Sequence, residues 1–355
     1  MRLIRLRLVL ATLAVALVAA ACADPEESGA DGGPAEGGAD GETITMARAD
    51  WDTGFMQAAI YQQLLQELGY NATDPAAETR SAATFYPALA NGTLDLWANG
   101  WFPLHDIYLS REQFTGNVVE EPVEPVGTQV SAGAIQGYLV DKATADELGL
   151  TSMSAFEDAE VAARFDRDGD GLADLLGCND GWGCNLVIQD HLAEFGWGAN
   201  VEQVVSDYYS LFDEAVAQVE AGDPTLLYTW TPNWTVEQLV PGEDVVWLQS
   251  ESLESAEGET SVGGLPGCAG GADPCDLGWQ VNDIRAVANI DFLDAHPDVR
   301  RLLEEVEIPL ADIEEQNLRM SLEEDYSNAQ IQQDAADWIA DHRDLVDGWL
   351  ETARG

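Results

Sequence analysis

From residue 43 onward, short runs with strand character alternate with longer runs of helical period, and this alternation restricts the fold of the 355-residue chain more than any other feature. Residues 43–48 read as a strand. Residues 54–68 read as a helix, with Ile60, Leu64 and Leu68 four residues apart and Gly69 as its stop. Further strands are expected over 94–99, 135–140, 226–229, 245–249 and 284–289, with helices over 143–148, 185–195 and 211–221 between them. Strands that alternate with helices predict an α/β protein whose sheets are covered by helices. Near the C-terminus Trp338, Ile339, His342, Leu345, Val346 and Trp349 share one stripe of a 3.6-residue period, which predicts a helix that buries both tryptophans.

Upstream of residue 43 nothing predicts a packed fold. Arg2, Arg5 and Arg7 precede an apolar run over 8–18, and Ala19-Ala20-Ala21 leads into Cys22, so residues 1–21 read as a secretory leader. The run is too short to span a bilayer. A cysteine after small residues resembles a bacterial lipobox, with Ala19 where a leucine is usual. The expectation is a lipid on Cys22 and a protein held at the outer face of the cytoplasmic membrane. Residues 23–42 are only Ala, Asp, Glu, Gly, Pro and Ser, a composition that buries too little to fold and reads as a flexible acidic tether. More than 300 residues remain, enough for two lobes with cores of their own.

The formal charge is −50, and loss of the three leader arginines takes it to −53. Nucleic acid is thereby excluded as a partner. Lys142 is the sole lysine against 65 acidic residues, a balance that repels itself at low ionic strength and is screened in strong salt. A saline exterior and a genome-wide compositional bias both account for it. Cys22 leaves Cys178, Cys184, Cys268 and Cys275, spaced more widely than zinc ligands, and export favours disulfides. Of three connectivities, pairing within each local group is the one expected. Asp166, Asp168, Asp170 and Asp174 around Gly171 resemble the first half of a calcium loop, but Gly177 stands where the bidentate glutamate belongs. A structural calcium ion and a solvated turn both fit that pattern.

Enzyme signatures are absent: no HExxH, G-x-S-x-G, Walker A or G-x-G-x-x-G motif, and His105, His191, His296 and His342 lie scattered. The informative side chains are aromatic. Of eleven tryptophans, Trp101, Trp182 and Trp230 stand beside turn-forming residues, where strand-to-loop junctions face clefts. Trp234 rivals Trp230, and Trp51 and Trp97 read as core, with the pocket rim as the alternative. Indole faces attract a quaternary ammonium head by ~0.5–2 kcal/mol per contact when desolvated. Sugars also stack on tryptophan, so two ligand classes stay open on this argument.

Three segments carry a family resemblance. Trp101-Phe-Pro-Leu-His-Asp106 is the first. Phe165-Asp-Arg-Asp-Gly-Asp-Gly-Leu-Ala-Asp174, running into Gly177-Cys-Asn-Asp-Gly-Trp-Gly-Cys184, is the second. Tyr228-Thr-Trp-Thr-Pro-Asn-Trp234, running into Val245-Val-Trp-Leu-Gln249, is the third. In order and spacing they resemble the glycine betaine-binding proteins of osmoprotectant ABC importers over about residues 43–349.

The resemblance implies a two-lobed, periplasmic-binding-protein-like (type II) α/β fold with a hinge and an interlobe cleft. It further implies a monomeric carrier that does no chemistry, needs no cofactor, and hands its ligand to an ABC permease and its ATPase. By the same resemblance Trp101, Trp182 and Trp230 box the trimethylammonium group of glycine betaine or a similar small zwitterion. His105 and the backbone N–H groups of Gly183 and Cys184 take the carboxylate, and a Cys178–Cys184 disulfide stands beside the box. Lobe 1 is expected over 43–139 and 278–355, and lobe 2 over 140–277. The chain departs from the family over 251–275, where a Gly-rich loop carries Cys268 and Cys275. An ectoine- or carbohydrate-binding lipoprotein, and a sensor that binds without transport, are the alternative readings.

Overall fold

The computed structural model describes residues 41–110, 122–256, 258–323 and 326–355. Cys22, the leader and the tether as far as residue 40 lie outside the described residues. Nine strands form one mixed sheet: β1 (Met46–Ala49), β2 (Thr79–Arg80), β3 (Leu96–Phe102), β4 (Val123–Asp141), β5 (Ala173–Leu176), β6 (Val201–Val204), β7 (Leu226–Thr231), β8 (Val245–Leu248) and β9 (Asn282–Asn289). Their order is β2-β1-β3-β9-β4-β7-β5-β6, with β8 also on β4. Pairing is parallel in β2-β1-β3 and in β7-β5-β6, and antiparallel at β3-β9, β9-β4, β4-β7 and β4-β8.

β4 is the strand that joins the two halves of this sheet. Its 19 residues pair with β9 from Val123 to Ala134, then with β7 from Ile135 to Val140. Only the second part was expected to be strand. Pro122, Pro125 and Gly127 hide the first part from a periodicity argument, because they read as turn residues. Gly127 has φ of +64°, and a Cβ there would stand 2.0 Å from the Leu303 carbonyl oxygen, so the chain can pass only as glycine.

All seven residues of β3 are buried, as in a strand covered on both faces. Part of the cover is α1 (Gly54–Glu67), whose Ile60 and Leu64 are fully buried as their spacing predicts, and which turns at Gly69 with φ of +103°. Two more helices start earlier than expected: α2 (Gly183–Glu194), and α3 (Tyr208–Ala221), which Asp207 caps by accepting from the Ser210 N–H. β5 and β6, unexpected from the sequence, are four residues each and too short to show a period.

The C-terminal stripe is not one helix. It breaks at His342 into α4 (Asn328–Asp341) and α5 (Arg343–Arg354), and Leu345 is 44 % exposed. Trp338 and Trp349 are nevertheless buried and stacked, with centroids 6.2 Å apart. Cys178 is bonded to Cys184 and Cys268 to Cys275, the local pairing expected. No helix among the described residues is long and apolar enough to cross a membrane.

Candidate functional site

Trp101, His105, Trp182, Gly183, Cys184 and Trp230, singled out in the sequence, line a single cleft with Trp51, Leu104, Gln136 and Tyr228. β3 brings Trp101 to its second-last position, and the chain then turns so that the His105 N–H donates to the Trp101 carbonyl at 2.7 Å. Trp230 comes from β7, where its register partner is Gln136 of β4. Trp182 precedes α2 in extended conformation, and Gly183 and Cys184 are the first residues of that helix. Helix-initial amides have no intrahelical acceptor, and no side chain caps this end. Their N–H groups with the helix dipole form a place for an anion. Gly183 suits the approach, because a Cβ there would come within 3.0 Å of the Leu104 side chain. The Cys178–Cys184 disulfide closes the loop that carries Trp182 and Gly183.

The tryptophans stand as walls. The Trp182 ring lies edge-on to Trp51, with centroids 5.6 Å apart and an interplanar angle of 73°, and to Trp230 at 5.5 Å and 80°. Every indole N–H of the cleft is already committed. Trp51 and Trp101 both donate to Asn99 Oδ1, at 2.7 and 2.9 Å. Trp182 donates to Asp50 Oδ1 at 2.8 Å, and Trp230 donates to Thr53 Oγ1 at 3.1 Å. The rings therefore meet a ligand with π faces and C–H edges, not with donors.

Electrostatics follow the same division. Asp50 and Asp52 accept the indole N–H groups of Trp182 and Trp234, and burial raises both carboxyls against the lowering effect of those hydrogen bonds. Among the cleft-lining side chains none is Lys or Arg. His105 is buried, and desolvation lowers its imidazole to about 3, so it is neutral near pH 7. Its Nδ1 faces the Trp101 N–H at 3.3 Å and the Tyr86 hydroxyl at 3.0 Å. A backbone N–H can only donate, so Nδ1 accepts and the ring proton sits on Nε2.

Trp51, read as core with the pocket rim as the alternative, is both: a buried ring that is part of the cleft, and its setting in Asp-Trp-Asp-Thr-Gly is the same turn signature that marked Trp182. Trp97 is core, stacked on Phe85 with centroids 3.4 Å apart. Trp234 is not in the cleft: its indole donates to Asp52 Oδ2 at 2.8 Å and its ring stacks on Tyr209. Away from the cleft, Asp166, Asp168 and Asp174 bring one oxygen each within 4.8 Å of one another, as do Asp168, Asp170 and Glu202. Asp166, Asp168, Asp170 and Asp174 also accept backbone N–H bonds within their own loop.

An α/β sheet whose halves are joined through β4, with a cleft of indole faces and neutral donors, has the form of a solute-binding protein. The chain belongs to the family of the substrate binding domain of the ABC-type glycine betaine transport system, which it matches over residues 42–341. That family serves transport and is not enzymatic. The chain is 34 % identical to the glycine betaine-binding periplasmic protein OusX of Dickeya dadantii, over 88 % of this chain and 90 % of the relative. It is 33 % identical to the glycine betaine/proline betaine-binding periplasmic protein of Salmonella typhimurium, over 84 % and 86 %. Two solved structures share the fold. One is a choline-binding ABC-transporter protein with choline (TM-score 0.63, 18 % identity, 87 % and 91 % covered). The other is lactococcal OpuAC, closed with glycine betaine (TM-score 0.61, 17 % identity, 87 % and 99 % covered). The fold is the two-lobed type II form expected from the sequence.

Proposed function

We propose that the chain captures glycine betaine, or a closely related quaternary-ammonium zwitterion, in the indole cleft and delivers it to an ABC permease driven by its ATPase. One observation carries the ligand class: the four indole N–H groups bond to Asn99, Asp50 and Thr53, leaving ring faces for a head that can neither donate nor accept. A sugar needs directed hydrogen bonds around its ring, and the walls offer few. The trimethylammonium head sits among Trp51, Trp101, Trp182 and Trp230. The carboxylate meets the Gly183 and Cys184 amides and His105 Nε2–H.

In this reading the lobes are residues 43–139 with 278–355, and 140–277. β4 passes from one lobe to the other, changing its partner from β9 to β7 between Ala134 and Ile135, a few residues before the lobe boundary. Closure unites Trp51, Trp101 and His105 with Trp182, Gly183, Cys184 and Trp230. Cys22 carries the lipid, and the tether holds the monomer at the outer face of the cytoplasmic membrane within reach of the permease. No cofactor is needed, and the Asp166–Asp174 loop serves as a solvated turn. Melting with and without a chelator tests that turn: an unchanged midpoint keeps it, and a lower one restored by calcium assigns an ion.

Calorimetric titration with glycine betaine, choline, ectoine and a disaccharide tests the ligand class. Glycine betaine is expected to bind most tightly; preference for ectoine or the disaccharide would overturn the reading.

A further inference from the structure

We infer that Gln136 is a further ligand-binding residue, whose side-chain amide donates to the carboxylate of a quaternary-ammonium zwitterion and selects it over ligands that lack one. The inference rests on the ligand class proposed above and names a contact that class does not itself require. Gln136 is 1 % exposed and lines the cleft beside Trp230, its neighbour across β4 and β7. The Tyr228 hydroxyl donates to its Oε1 at 2.6 Å, which turns the NH2 end away from the tyrosine. That nitrogen has no hydrogen-bond partner among the described residues. A buried donor left unpaired is costly, so a site that retains one is built to have it paired by something that enters.

Charge balance points the same way. A carboxylate accepts at about four lone-pair sites, and no Lys or Arg lines the cleft to neutralise it. The burden falls on neutral donors: the Gly183 and Cys184 amides, His105 Nε2–H and the Gln136 amide. Choline presents a hydroxyl in place of the anion and tetramethylammonium presents nothing, so neither gains a charge-assisted bond from Gln136.

The test is calorimetric titration of wild type, Gln136→Leu and Gln136→Glu with glycine betaine, choline and tetramethylammonium. Gln136→Leu is expected to lose about ten- to a hundredfold of glycine betaine affinity, the worth of one charge-assisted bond, and under about threefold for tetramethylammonium. Gln136→Glu, nearly isosteric, is expected to bind glycine betaine more weakly still and to shift preference towards choline. Equal losses for all three ligands would make Gln136 structural, and unchanged glycine betaine affinity in both variants would remove it from the site; either result overturns the inference. Failure of wild type to bind any of the three would instead overturn the proposed ligand class.

Discussion

The indole N–H of Trp182 donates to a carboxylate oxygen of Asp50, a residue 132 positions earlier, at 2.8 Å. Two neighbours repeat the arrangement: Asp52 accepts from Trp234 and Thr53 from Trp230. Under the proposed lobes, one segment, Asp50 to Thr53, takes hydrogen bonds from three indoles of lobe 2. Two of those indoles, Trp182 and Trp230, wall the cleft and thus also register its closure.

Replacing the Asp50 carboxyl while keeping an acceptor separates these two roles. Asp50→Asn is expected to weaken glycine betaine binding by about three- to tenfold, because an amide is a weaker acceptor than a carboxyl group for the indole N–H that orients the Trp182 ring. Asp50→Leu leaves the indole unpaired as well, and is expected to cost about 1–3 kcal/mol of stability besides. Titration and denaturant melts of the two variants distinguish the effects, and equal affinity in wild type and both variants would contradict the coupling.

Trp51 and Trp97 are adjacent rings, 5.8 Å apart, with different assignments. Trp51→Leu is expected to lose glycine betaine affinity as Trp101→Leu does, since both rings share Asn99. Trp97→Leu, which empties core volume against Phe85, is expected to act on stability by roughly 2–4 kcal/mol. If Trp97→Leu abolishes binding in a fully folded protein and Trp51→Leu spares it, the two assignments are reversed.

This pair also marks where sequence reading reached its limit. Trp101, Trp182, Trp230 and His105 were legible because turn residues and a family pattern surround them. Trp51 carries the same turn signature, but only the sheet order, which sets β1 beside β3, brings it to that cleft. Gln136 is a polar residue in an apolar run, and nothing in the run says that its amide meets a tyrosine from β7. The first half of β4 was hidden by Pro122, Pro125 and Gly127, and the break at His342 by a hydrophobic stripe that continues across it.

Two buried imidazoles give stability a pH dependence. Burial lowers His105 and His191 to about 3 in the folded protein. In the unfolded chain both titrate near 6.5, so the unfolded state binds more protons below that pH. Their contribution is full above about 6.5 and is lost as pH falls towards 3, and the melting temperature is expected to drop over that interval. Imidazole signals followed by NMR should stay neutral from pH 8 to 5. A His105 ring that titrates near 6.5 would contradict the assigned tautomer and burial.

The charge of −50 with one lysine makes self-repulsion a property of the whole molecule. Added potassium chloride is expected to raise the melting temperature and level off towards about 1 M, where the screening length is about 3 Å. A midpoint that does not rise with salt would leave the acidic composition without this physical role.

The central claim is that indole faces hold a quaternary ammonium group. Isothermal titration of glycine betaine into wild type, Trp182→Ala and Trp101→Ala tests it most directly. The account predicts one site per chain in wild type and a loss of about tenfold to a hundredfold or more in each variant, the worth of one desolvated ring contact with its packing. Wild-type affinity retained in both folded variants would contradict it.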